Sequence, residues 1–262
     1  MENNTVEITL TFLGTGTSTG VPVIACDCPV CTSKDPHDKR LRTSGMLTIN
    51  GRNYVLDSGP DFRYQMLREH VNDLDAIIFT HEHRDHIAGL DDVRAFNYLL
   101  NKRINVFGTE RVIKALEREF PYIFNGTRYF GAPQIDVHLI ENKDFELADG
   151  MIMQPIKVWH HKDMPVMGYR ISDLTYITDA KFITPDEMEK VKGTRILILN
   201  ALRNSRHISH FSVSEALDII KEINPEKAYL THMSHFIGKH EDVEKKLPEN
   251  VHLAYDGLKV KL

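Results

Sequence analysis

Thr80-His81-Glu82-His83-Arg84-Asp85-His86 is the stretch that decides how this chain is read. It gathers three histidines and one aspartate, His81, His83, Asp85 and His86, within six residues. Residues 74–79 before it, Leu-Asp-Ala-Ile-Ile-Phe, form a short apolar run with the pattern of a buried strand. Ile87-Ala88-Gly89-Leu90 after it has the composition of a helix start. Positions i and i+2 point to different sides of a helix, so this is not the helical His-Glu-x-x-His zinc pattern. In an extended or looping segment, His81, His83 and Asp85 share one side and His86 turns to another. A loop at a strand end then aims ligands at two neighbouring points. Imidazole with carboxylate suits zinc, manganese or iron. A merely solvated polar loop is the competing explanation, and the density of ligands weighs against it.

Working outward, a second cluster stands nearer the N-terminus. Cys26-Asp27-Cys28-Pro29-Val30-Cys31 holds all three cysteines of the chain. Three thiolates this close supply most of a tetrahedral zinc site, with one ligand to come from elsewhere. Four protein ligands leave no position for water, so such a site is structural. Before the cysteines, residues 6–13 alternate polar and apolar as a strand does, and run into Gly14-Thr15-Gly16-Thr17-Ser18-Thr19-Gly20. That loop either cradles phosphate with its N–H groups or bends tightly for packing. It is neither a P-loop nor a dinucleotide fingerprint. Residues 34–42 are charged, and Lys39, Arg40 and Arg42 form a small basic cluster that reads as a solvated loop, with an anion contact as the alternative.

Residues 45–50 and 53–56 read as a hairpin around Asn50-Gly51. It ends in Asp57, placed either to steady a metal ligand or to cap the following turn. Helices are expected over 62–70, over 91–101 with Val93, Phe96, Leu99 and Leu100 on one face, and over 110–120 up to Pro121. Residues 122–133 have no clear period and read as a packed loop. Residues 154–161 form a strand running into His160 and His161. Strands at 169–171 and 175–177 pair around Ser172-Asp173 and lead to Asp179. A further buried strand, 195–200, precedes His207 and His210, and a helix follows from Ser212. The strand 227–230 leads to His232 and His235.

The 262 residues carry a formal charge of −5, which argues against a general nucleic-acid binder. An odd number of clustered cysteines is a poor disulfide framework and suits a reducing compartment. The first four residues carry no basic-then-apolar pattern, and no apolar run reaches the length of a membrane span. A cytoplasmic protein is expected.

Thr-His-x-His-x-Asp-His after an apolar strand resembles the signature of the metallo-β-lactamase superfamily. Joined to Phe-Leu-Gly-Thr-Gly-Thr-Ser at 12–18 and to Cys-x-Cys-x-x-Cys, it resembles the branch of the phosphoribosyl 1,2-cyclic phosphate phosphodiesterases, along nearly the whole chain. The resemblance implies an α/β (α+β) fold, an αβ/βα sandwich of two mixed β-sheets flanked by helices. It implies a single hydrolase domain over 1–262, with a Cys-rich zinc-binding insertion near 22–42. It also implies two catalytic divalent metals, Mn2+ or Zn2+, and one structural Zn2+. His81, His83 and His160 would hold the first catalytic ion, Asp85, His86 and His232 the second, and Asp179 both. Cys26, Cys28, Cys31 and His235 would hold the zinc. Val158, Lys162 and Gly168-Tyr169-Arg170 favour His160, while the spacing to Gly168 also admits His161. His210 matches the histidine placed beside the scissile phosphate, His207 either assists it or faces solvent, and His240 and His252 have no matching place and read as surface residues.

The activity implied is hydrolysis of a small cyclic phosphodiester to a phosphomonoester by metal-activated water. The implied partners are a small anionic phosphodiester and a second copy in a homodimer, with no membrane and no nucleic acid. The rival readings are an RNA-processing nuclease like tRNase Z, a thiolesterase, which lacks the cysteine insertion, and a non-catalytic metal-binding interaction module.

Overall fold

The computed structural model describes residues 6–124 and 131–262. The reading of the first four residues, and that of 125–130 in the expected packed loop, lie outside the described residues. The chain divides into two compact units. One comprises Met1–Gly14, Thr43–Ile140 and Gly257–Leu262, the other Thr15–Arg42 and Glu141–Asp256.

The first unit is built on a seven-stranded mixed sheet in the order Lys259–Lys261, Ile8–Gly14, Ser44–Ile49, Arg52–Leu56, Ala76–Ile78, Ile104–Gly108, Ile135–Leu139. The hairpin closes on Asn50 and Gly51 at φ 48° and 83°, the left-handed pair that a two-residue turn requires. Ala76–Ile78 runs parallel to both neighbours and is buried on both faces, which is why it reads as an unbroken apolar run. The core joins it to Phe62 and Met66 of the helix Phe62–Arg68, to Val93 and Phe96, and to Val112 and Leu116 of the helix Glu110–Glu119.

The second unit is an eight-stranded mixed sheet. Its order is Phe182–Ile183, Ile152–His161, Met164–Ile171, Leu174–Ile177, Ile196–Asn200, Lys227–Thr231, Val251–Leu253, with Phe145–Glu146 paired to Ile152–His161. The helices Pro185–Val191 and Val213–Ile223 cover its apolar face through Met188, Val191, Ala216 and Ile220. Ser212 and Glu215 start the second helix with a reciprocal capping box. Two mixed sheets flanked by helices are what the sequence leads one to expect. Among the described residues no helix is long and apolar enough to cross a membrane.

Several local expectations are corrected. Leu99 is exposed, because the 91–101 segment begins as a tight 3-10 turn, Leu90–Val93, before the α-helix Arg94–Leu100, and this rotates Leu99 away from Val93 and Phe96. The helix Glu110–Glu119 ends before Pro121 as expected, but Pro121 opens a short further helix, Pro121–Phe124, where a loop was expected, as proline at a first helical position can. Arg40 is not solvated: it is 4% exposed and donates to Thr15 Oγ1 and to the Ala254 carbonyl, at 2.9 and 2.6 Å. His240, read as a surface residue, lies 3.2 Å from Arg40 Nη2 and stacks on His37. His252 is half-buried and pairs with Glu244 at 2.8 Å.

Candidate metal centres

In the first unit the strand Ala76–Ile78 delivers the motif. The helix begins inside it, at Arg84–Ile87, with His83 as the residue before the first turn. Asp85 and His86 therefore sit on a helical turn rather than in the extended segment expected from their spacing. The His81 ring lies 4.6 Å from His83 and 4.1 Å from His86, and His86 Nε2 is 3.3 Å from Asp85 Oδ2. Gly89 makes the turn possible. A methyl there would collide with the Gly59 carbonyl and lie 2.7 Å from Phe62 Cβ.

Asp57, fully buried, organises these rings. Its Oδ2 accepts from His86 Nδ1 and from Thr80 Oγ1, each at 2.7 Å, and its Oδ1 accepts the Thr80 N–H at 2.8 Å. Thr80 has one hydroxyl proton, and the carboxylate takes it. The His81 Nδ1 found 2.9 Å from Thr80 Oγ1 must then be a donor. One carboxylate thus fixes two tautomers, directly for His86 and through Thr80 for His81, and leaves the lone pair of each ring on Nε2, where it could serve a metal. Burial pushes the Asp57 carboxyl above its ordinary range, against the His86 and Thr80 hydrogen bonds that favour the ionised form. Asp57 holds the His86 ring directly and the His81 ring through Thr80, whose part the sequence did not signal.

In the second unit His160 ends the strand Ile152–His161 at a bulge between Trp159 and His161. The bulge is the extra residue that left two histidines in contention. It turns His160 inward, 6% exposed, and leaves His161 exposed. His160 Nδ1 donates to the Asp179 carbonyl at 2.9 Å, so Nε2 again carries the lone pair. Asp179 Oδ1 accepts from Thr178 Oγ1 at 2.8 Å and lies 3.1 Å from His232 Nε2. His160, Asp179 and His210 bring their ligand atoms within 4.8 Å of one another. Asp57, Asp179 and His232 all hold positive φ, 64°, 59° and 57°, the strained backbone that collects at functional sites.

Asn200 is a residue that sequence reasoning missed. Fully buried at the end of its strand, it accepts the Ala180 N–H at 2.7 Å and donates to the Ala180 carbonyl at 3.0 Å. It thereby fixes the turn that carries Asp179. A carboxamide ending an otherwise apolar strand was the available signal.

His210 is 7% exposed, stacks on His232 at 4.7 Å and meets His160 edge-on at 4.5 Å. Burial, then the neighbouring His232, hold its pKa down to about 2, so the ring is neutral. Its Nδ1 has no hydrogen-bond partner among the described residues. His207 is partly exposed, with its ring 5.3 Å from that of His210 and its Nδ1 accepting the Ser209 N–H at 3.3 Å.

The cysteine cluster lies wholly in the second unit. Cys26, Cys28 and Cys31 place their sulfurs 3.3, 3.4 and 3.3 Å from one atom, His235 Nδ1. A tetrahedron with Zn–S of about 2.3 Å and Zn–N of about 2.0–2.1 Å has S···N edges of roughly 3.5 Å, so donor set and spacing fit zinc. The Cys31 N–H draws Cys28 down to about 6, whereas burial pushes Cys31 up to about 11. A cation is what would let all three sulfurs be thiolates together. The glycine-rich loop resolves in favour of packing. Its N–H groups at Gly16 and Thr17 donate to Leu41 and Met233, and Met233 N–H donates back to Thr15. The segment carrying His232 and His235 is therefore held from both sides.

Comparison with known proteins gives these residues a family. Residues 52–233 match the beta-lactamase superfamily domain. The crystal structure of a diphosphatase from the PhnP family is 39% identical, covering 97% of this chain and 98% of that one, with a TM-score of 0.90. The octanoyltransferase of Porphyromonas gingivalis is 37% identical over 250 residues, and the chain spans only 50% of that protein's length while 94% of the chain is matched. The ribonuclease Z of Methanopyrus kandleri is 24% identical over 98% of each chain. The matched family domain contains the His81–His86 motif, His160, Asp179 and His232, and the full-length likeness takes in the cysteines, so the chain belongs to the beta-lactamase superfamily and, within it, to the PhnP family.

Proposed function

We propose that the chain is a dinuclear metal-dependent phosphodiesterase that opens a small cyclic phosphodiester, of the phosphoribosyl 1,2-cyclic phosphate kind, to a phosphomonoester. The coarser class, a metal-dependent hydrolase acting on phosphate esters, follows from the family. One observation supports the metal-dependent part of this reading: His81, His86 and His160 each have Nδ1 committed to an oxygen, so each presents Nε2 as a ligand atom. Three buried imidazoles oriented in this way fit transition metals and have little use as core packing. His81, His83 and His160 are assigned to one ion, Asp85, His86 and His232 to the other, and Asp179 to both. Such ions, when bound, supply a nucleophile at neutral pH and neutralise the phosphoryl oxygens. Mn2+ and Zn2+ both suit this nitrogen and oxygen set, whereas the sulfur cluster suits Zn2+.

The chain's own groups then divide the work. Asp57 and Asn200 hold ligands in register. His210, neutral and with Nδ1 uncommitted, is assigned to the leaving oxygen, where the substrate's negative charge raises the basicity of the ring and the leaving alkoxide takes up a proton. His207 is assigned to assist it. The two units act as one hydrolase domain, and a homodimer is the proposed assembly.

An RNA-processing reading is favoured by the full-length match to a ribonuclease Z, and the net charge of −5 weighs against it. Octanoyl transfer through a covalent thioester would lack a free nucleophile, since all three cysteines belong to the sulfur cluster. Purified protein loaded with Mn2+ tests the proposal on cyclic ribose phosphates, bis-p-nitrophenyl phosphate, precursor tRNA and octanoyl thioesters. Turnover of the cyclic phosphates supports it, and turnover of the RNA or the thioester alone overturns it.

A further inference from the structure

The ligand pattern leaves two positions inside Thr80–His86 open, and this chain fills them with opposite charges, Glu82 and Arg84. Both find their counter-charge on one helix, Glu110–Glu119. Glu82 Oε1 accepts from Arg111 Nε, and Arg84 Nη1 donates to Glu119 Oε2 at 3.2 Å. Glu82 is the inner partner, with 15% of its side chain exposed against 79% for Arg84. The helix is a firm support: Thr109 caps it by accepting the Val112 N–H, and Val112, Ile113, Ala115 and Leu116 are buried. The helix gains nothing of its own from Arg111 and Glu119, because a cation in the first turn and an anion in the last both oppose its macrodipole. Their partners on the motif give these two charges a purpose. A cavity of about 70 Å³, lined by Arg84, Ile87, Ala88, Glu119 and Phe120, lies between the short helix Arg84–Ile87 and the end of the longer one. There the two elements meet across a gap rather than in a packed seam, and the Arg84–Glu119 pair spans it.

We propose that Glu82 and Arg84 are positioning residues: clasped to Arg111 and Glu119, they fix the stretch that joins His81 and His83 to Asp85 and His86, and so the spacing of the two candidate ions. The inference rests on the metal-binding reading of this motif and goes beyond it, since neither residue is among the assigned ligands. Asp57 sets the rings of His81 and His86; the two ion pairs engage the residues between them. A ligand set works only when its supporting contacts hold it within about 0.5 Å of the productive geometry. Exposed ion pairs add little to global stability, so the effect of the clasp belongs in metal binding and not in folding.

Charge and position make opposite predictions for the two arginines. Removing a cation close to a metal site relieves repulsion, so Coulomb's law alone has Arg111→Gln and Arg84→Gln bind Mn2+ more tightly. The clasp has both bind it more weakly, roughly three- to tenfold by chelator competition on the full chain, as the loss of a coupled contact entails. The denaturant midpoint should stay where it is in the parent. Arg111→Lys, which keeps the charge facing Glu82, should recover most of the loss. With two Mn2+ ions bound, their spin coupling, read by electron paramagnetic resonance, should change in both glutamine variants and return in the lysine one. Tighter or unchanged binding in either glutamine variant, or weaker binding matched by an equal loss of fold stability, overturns the clasp and leaves the metal-site assignment standing. A parent chain that takes up no Mn2+ sinks that assignment and the clasp with it.

Discussion

Replacing Asp57 by asparagine asks whether one carboxylate sets two ligands. Asp57 sits at φ 64°, where asparagine is as comfortable as aspartate, and the two are nearly isosteric, so the backbone has no reason to move. The carboxamide oxygen keeps the Thr80 N–H as donor. Its NH2 then stands where Oδ2 accepted from His86 Nδ1 and Thr80 Oγ1 at 2.7 Å each. Two donors cannot face a third. His86 must turn Nδ1 into an acceptor and move its proton to Nε2. Thr80 must accept from the amide and donate to His81, which moves that ring's proton to Nε2 as well. Both ligand atoms become N–H groups. Loss of an orienting partner costs about 10- to 100-fold in metal affinity per ligand, so two together predict roughly 10²- to 10⁴-fold, about 3–5.5 kcal/mol. Chelator competition measures the affinity, and nitrogen chemical shifts of the histidine rings in the metal-free protein report the tautomers. Metal affinity within twofold of the parent, or unchanged tautomers, would refute the reasoning.

Four further outcomes follow from particular contacts. Cys31→Ser should lower zinc content by one ion per chain, visible by elemental analysis, and should weaken the catalytic metals as well, because His235 and His232 share one short segment. Gly89→Ala should destabilise the fold by ~1–3 kcal/mol in denaturant titration, since the added methyl meets Gly59 and Phe62. Arg40→Met should cost about 3–5 kcal/mol, because it strands the groups that the buried guanidinium serves. Burial works to raise the Glu215 pKa, but Lys181 and the Ser212 donors outweigh it and bring the carboxyl from 4.5 down to about 2. A folded pKa below the unfolded one gives stability that is present above pH ~4.5 and lost as pH falls towards 2. Glu215→Gln should remove that acid limb, and equal acid stability curves for the two proteins would contradict it.

Much of the fold was legible because its signals are local. The apolar run at 74–79 needs only a parallel strand between two others, and Asn50-Gly51 needs only a two-residue turn. The candidate ligand clusters were legible because imidazole, thiolate and carboxylate at such density have few other uses. What escaped depends on distant packing. The burial of Arg40 needs Thr15, Ala254 and His240, brought together from three parts of the sequence. His160 was favoured over His161 from the sequence, but the spacing stayed ambiguous because a one-residue bulge, invisible in the sequence, exchanges the faces of a strand. The helical turn at Arg84–Ile87 followed from Gly89 closing onto Ser58 and Gly59, a contact that no periodicity announces.

Anomalous scattering from crystals grown with Mn2+ and Zn2+ bears most directly on the central claim. The account predicts three peaks per chain. One zinc lies among Cys26, Cys28, Cys31 and His235, and the other two ions lie on the Nε2 atoms of His81, His86 and His160 with Asp179 ligating both. A zinc in the sulfur cluster with no ion bound to those imidazoles would contradict it.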